Sequence, residues 1–141
     1  MKRPEAGLVA LAALTLLVGC AEKPPVDSQG KTPQQVLMET YHLILDGQYA
    51  RARENFSPHF IDALITNNNA TFIDYCGHVK GWRSDQLKTK LMGNDYNDKL
   101  WRVKLIQDEG KGEPSRQGIL HDLYIVDGKW TIVFWGHYSK S

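Results

Sequence analysis

Cysteine is nearly absent from this chain, and so is any surplus of one charge. Only Cys20 and Cys76 occur in 141 residues, so no disulfide framework can hold the fold and its stability must come from a packed core. Lys+Arg total 17 against 16 Asp+Glu, giving a net charge of +1. The cations are scattered rather than clustered, so the chain lacks the electrostatic footprint of a nucleic-acid binder. There is also no apolar run long enough to cross a bilayer, which takes roughly 20 residues. The longest, Leu8 to Val18, falls well short.

That short run is informative for where it sits. Lys2 and Arg3 precede it and Leu17-Val18-Gly19-Cys20 closes it. This resembles a bacterial lipobox, in which the leader is cut and the new N-terminal cysteine is acylated. The pattern predicts a lipoprotein signal peptide over residues 1–19, with Cys20 the lipidated residue. Each buried methylene adds about 0.8 kcal/mol of membrane affinity, so several acyl chains make a lasting anchor. Ala21 follows the cysteine where aspartate favours inner-membrane retention. The expected location is therefore the cell envelope, at the outer membrane facing the periplasm in a Gram-negative host. With Cys20 acylated, Cys76 has no disulfide partner in the chain. Residues 20–31, polar and rich in Pro and Gly, read as a flexible tether, and residues 32–141 as one domain.

The domain opens with helices. Thr32, Pro33 and Gln35 form a capping-box start, Val36, Leu37, Tyr41, Ile44 and Leu45 draw one apolar face, and Asp46-Gly47 ends the helix. Gln48 to Asn55 reads as a short second helix. Ser57-Pro58 starts a third, which Asn67-Asn68-Asn69 stops. Thr71 to Gly93 is ambiguous between helix and bent strand, with Ser84 to Met92 expected as a short helix. Gly93 to Asp98 and Glu109 to Arg116 are loops by composition.

Strands follow. Leu100 to Asp108 alternates, with Trp101, Val103 and Leu105 on one side. Ile119 to Val126 and Lys129 to Tyr138 flank Asp127-Gly128, a strong hairpin signal because both turn positions need positive φ. Counting out from that turn pairs Ile125 with Trp130, Leu123 with Ile132 and His121 with Phe134 on an apolar, helix-covered face. Asp122 with Val133 and Leu120 with Trp135 fall on the other. His121, the polar exception on that face, is either a core or rim histidine hydrogen-bonded to backbone or, with Trp130 and Phe134, a candidate to line a cavity. Asp74 and His78 join them if the segment between them is helical, being four apart. Leu120, Val133 and Trp135 form a candidate interface strip. His121 and Asp122 are adjacent, but strand alternation sends them to opposite faces, so they cannot act as a dyad. Asp74, Cys76 and His78 lack a second ligand pair, and no metal site is expected from them.

The stretch from Pro33-Gln34-Gln35-Val36 to Tyr49-Ala50-Arg51-Ala52, with Asp127-Gly128-Lys129-Trp130-Thr131-Ile132, resembles the nuclear-transport-factor-2-like, cystatin-fold superfamily, and most of all its small bacterial lipoproteins. The resemblance implies an α+β fold with N-terminal helices packed on a curved antiparallel sheet around a cone-shaped cavity. Some members of that superfamily, such as ketosteroid isomerase and scytalone dehydratase, perform acid–base chemistry in the cone, while others bind or assemble. No catalytic constellation stands in this chain. The expectation is a non-catalytic binding or interaction module on a lipid anchor, without cofactor. Its expected partners are a small apolar ligand, a second copy or an envelope protein. A small isomerase- or dehydratase-like enzyme, or a structural part of an envelope complex, are the alternatives.

Overall fold

The computed structural model describes residues 23–68, 71–95, 99–108 and 118–136. The leader, Cys20 and the expected loop over Glu109 to Arg116 lie outside the described residues. Helices α1 (Pro33–Leu45), α2 (Tyr49–Arg53), α3 (Pro58–Asn68) and α4 (Phe72–Cys76) come first. Two 3₁₀ turns, Gly77–Val79 and Ser84–Gln86, lead into strands β1 (Leu87–Asp95), β2 (Leu100–Gln107), β3 (Gly118–Val126) and β4 (Lys129–Gly136). The strands form one antiparallel sheet in the order β1-β2-β3-β4. The class is α+β, helices on an open four-stranded sheet.

Local chemistry explains the start of α1. Thr32 Oγ1 accepts from the Gln35 N–H at 3.2 Å while Gln35 Oε1 accepts from the Thr32 N–H at 2.8 Å. Two N–H groups that the helix leaves without partners are thereby satisfied. The inward face of α1, Val36, Leu37, Tyr41 and Ile44, is buried against β1, β2 and β4. Behind it Phe56, Phe60, Phe72 and Tyr75 pack edge to face or stacked, with centroids 5.1 to 6.2 Å apart, and tie α3 and α4 into the same core.

The β3–β4 hairpin turns at Asp127 and Gly128 with φ of 51° and 79°, the pair of left-handed residues that a two-residue turn demands. The expected register holds from Val126↔Lys129 to Leu123↔Ile132 and then shifts by one residue. Beyond the shift Asp122 pairs with Phe134, His121 with Trp135 and Leu120 with Gly136. This corrects the expected pairing of His121 with Phe134 and of Leu120 with Trp135. The shift sits where the free edge of β4 is used by another segment. Ile132 donates to Asn55 O at 2.9 Å and accepts from Ser57 N at 2.8 Å. A strand held from both sides there absorbs the extra residue, Val133, as a bulge.

Two other expectations are corrected. Ser84 to Met92 is not a helix: one 3₁₀ turn gives way at Leu87 to β1, which runs through Gly93 to Asp95, where a loop was expected. Leu87, Thr89 and Leu91 face the helices while Lys88 and Lys90 face away, a period of two that only a strand satisfies. A second bulge falls between Leu91 and Gly93, the latter at φ 147°. The tether is the other. Its described residues, 23–31, carry no helix or strand, but from Pro25 onward they are fastened to the hairpin. Asp27, only 8 % exposed, accepts from the backbone N–H of Gln29, Lys31 and Trp130 at 2.9 to 3.2 Å. Ser28 N donates to Gly128 O at 2.8 Å, and the Trp130 indole donates to Pro25 O at 3.1 Å. Burial raises the Asp27 pKa, but the three backbone donors and the Lys31 charge outweigh it and hold the carboxyl below its usual range.

Candidate functional site

His121 is the polar exception on the helix-covered face, and the structure shows how it is accommodated. It has no solvent-accessible surface. Its Nδ1 lies 3.1 Å from the Ile119 carbonyl, and its Nε2 lies 2.6 Å from the Tyr41 hydroxyl on α1. A carbonyl only accepts, so Nδ1 carries the proton and Nε2 accepts from Tyr41. His78, on the 3₁₀ turn after α4, approaches the same phenol with its Nε2 at 3.1 Å while its Nδ1 donates to the Tyr75 carbonyl. Both imidazoles stand edge-on to the Tyr41 ring, with centroids 5.1 and 5.9 Å away.

This cluster is built to stay neutral. Burial and the neighbouring His78 push the His121 pKa down to about 3, against a smaller upward pull from the Ile119 carbonyl. Burial also lowers His78, partly offset by its bond to Tyr75. Burial and the nearby Tyr41 raise Tyr75 well above its usual value, and burial raises the Cys76 thiol to about 12. Among the described residues no group of three or more His, Cys, Asp or Glu is placed to hold a metal ion.

The interior around this cluster is filled. Leu37, Tyr41, Val103, Leu105, Ile119, Leu123 and Ile132 share with His121 an accessible surface of zero, so no water-sized void touches them. Of the candidate cavity residues, His121 and His78 meet at Tyr41. Asp74 is exposed, and His78 turns to Tyr75 and Tyr41 rather than to it. Trp130, 2 % exposed, borders a surface groove of about 350 Å³ that Phe56, Ile61 and Val126 also line. The side chains of Phe134 and Trp135 lie outside the described residues. Tyr41 and Asp27 are the two structural centres that sequence reading missed, since the histidines that meet Tyr41 and the Trp130 that Asp27 holds lie far away in the chain.

The other face of the sheet is different in kind. Arg102 and Asp122 sit opposite each other on β2 and β3 and form a two-pronged ion pair, Nε–Oδ1 2.8 Å and Nη2–Oδ2 3.2 Å. His121 and its neighbour Asp122 thus serve opposite faces, as strand alternation requires. Lys88 pairs with Asp108. Lys90 and Lys104, however, are direct cross-strand neighbours, and among the described residues neither has an ion-pair partner. Like charges opposite one another destabilise a sheet. On the same face Ile106, Leu120 and Tyr124 are half-buried, with Leu120 directly opposite Lys104. Val133 is half-buried at the bulge. No family model matches the chain, and no curated protein or solved structure is significantly similar to it.

Proposed function

We propose that this chain is a lipid-anchored interaction module of a bacterial envelope, related to the nuclear-transport-factor-2-like, cystatin-type domains. In this reading Cys20 carries the anchor, and the domain faces the periplasm from the outer membrane in a Gram-negative host. The working surface is the open face of the sheet, and the partner is an envelope protein presenting carboxylates. One observation carries this choice: Lys90 and Lys104 stand side by side on an accessible face without a counter-charge among the described residues. A sequence keeps such a local penalty where it serves a contact. Ile106, Leu120 and Tyr124 supply the apolar area that a protein partner buries beside the charges. A second copy of the same face fits less well, because it would oppose lysine to lysine. Among the described residues those packed around His121 have no accessible surface, so the small apolar ligand and the isomerase-like alternative have no cavity there to use.

Lys90→Glu tests this reading with two readouts of opposite sign. Placing a carboxylate opposite Lys104 is expected to stabilise the domain by about 0.5 kcal/mol in urea melts. In the same variant, a photocrosslinker at Leu120 in the full-length protein in cells should lose the discrete adduct it gives otherwise. An adduct at twice the chain's own mass would identify a homodimer instead. An adduct unaffected by Lys90→Glu and by Lys104→Glu would remove the lysines from the interface.

A further inference from the structure

The anchor and the fold meet at one place. Among the described residues Pro25 is the first hydrogen-bonded to the domain, through the Trp130 indole, and Asp27 and Ser28 bind the backbone of Trp130 and Gly128 directly behind it. The described tether is therefore fastened at the turn of the β3–β4 hairpin. Four residues separate Pro25 from Cys20. Even fully extended, five Cα steps span at most about 18 Å. A lipid on Cys20 holds this one end of the domain within that distance of the bilayer.

The same end carries apolar surface that the fold does not use. Val26 is 57 % exposed, Val126 45 % and Ile125 39 %, half of the large apolar side chains that stand exposed among the described residues. Val126 and Ile125 are the last two residues of β3 before the turn, and Val26 lies between the two latch residues Pro25 and Asp27. Charge at this end is mixed, with Lys23, Lys99 and Lys129 against Asp95 and Asp127. It neither forbids nor dictates the headgroup.

We infer that the hairpin end of the domain is seated on the bilayer, with Val26, Ile125 and Val126 at the boundary of headgroups and acyl chains. This rests on the reading of Cys20 as the acylated residue. Three side chains would not hold a free domain to a membrane. The short leash supplies the local concentration that lets so small a patch engage, and the Asp27 latch keeps that leash short. The opposite end of the sheet, where Ser84–Gln86 enters β1, stands away from the lipid by the length of the strands, about 26 Å for eight residue steps. The lysine-bearing face then rises beside the membrane, open to a partner.

The test uses the full-length protein reconstituted in vesicles of phosphatidylethanolamine and phosphatidylglycerol. An environment-sensitive fluorophore is attached at Val126→Cys or, at the far end, at Asp85→Cys. Cys76 is buried and does not compete for label. The Val126 probe is expected to be blue-shifted and quenched several-fold more by spin-labelled lipid than the Asp85 probe. Adding Asp27→Ala, which frees the leash, should bring the two together. Equal, water-like probes on a vesicle-bound protein whose intact mass shows the lipid would overturn the inference and leave the anchor standing. A protein that does not stay with the vesicles and carries an unmodified Cys20 would overturn both.

Discussion

Replacing His121 with alanine will destabilise the domain by about 3–5 kcal/mol, the cost of a large core truncation that also strips a buried hydroxyl of its acceptor. His121 has no accessible surface and accepts from Tyr41 at 2.6 Å, so the change opens a void that water cannot reach and leaves the Tyr41 proton without its closest partner. Tyr41→Phe removes only the hydroxyl, keeps the packing, and should cost about 1–3 kcal/mol. Urea unfolding of both variants measures the pair of values. A loss below about 1 kcal/mol for His121→Ala would mean that the imidazole faces solvent or a cavity. The enzyme reading would then regain its strongest candidate.

Acid will weaken the fold well before its carboxylates protonate. His121 in the folded state titrates at about 3, against 6.5 for an unperturbed histidine. The group is therefore neutral when folded and protonated when unfolded between those values. The unfolded state binds more protons, so stability rises with pH in that window. It is complete above about 6.5 and is lost as pH falls toward 3. Each pH unit in the window is worth up to about 1.4 kcal/mol, so moving from pH 7 to 4.5 should remove about 2–3 kcal/mol. His78, also lowered, adds in the same direction. Asp27 acts later: its lowered carboxyl contributes above its unfolded pKa and is lost only as pH falls below about 4. Urea midpoints measured across this range should slope steadily from about pH 6.5 downward. A flat response to pH 5 followed by collapse below 4 would assign the acid sensitivity to carboxylates alone.

What could be read from the sequence follows the distance over which each signal acts. The capping box at Thr32, the break at Asp46-Gly47 and the Asp127-Gly128 turn are written within four residues, and each appears where the chain spells it. The strand at Leu87 was also spelled out, in the alternation of Leu87, Thr89 and Leu91 with Lys88 and Lys90, but Ser84 imitates a helix cap and outweighed it. The slip that moves Trp135 opposite His121 was not written locally, because it depends on Asn55 and Ser57 gripping Ile132 from the other edge. Nor was the latch, whose Asp27 and Trp130 are 103 positions apart. The hydrogen bonds of His121 and His78 join residues 80 and 37 positions from Tyr41, and no periodicity predicts such a meeting. His121 could be recognised as a polar residue on an apolar face, but not supplied with its partner.

The proposed function has the domain work through its open sheet face and not through a pocket. The most direct test is the native mass of the full-length protein, extracted from its own membrane in mild detergent without stripping small molecules. The expected result is an acylated chain in complex with a protein partner and no stoichiometric small molecule, with the complex lost in Lys90→Glu and in high salt. A chain that carries one tightly held small molecule, retains it in Lys90→Glu and shows no protein partner would contradict it.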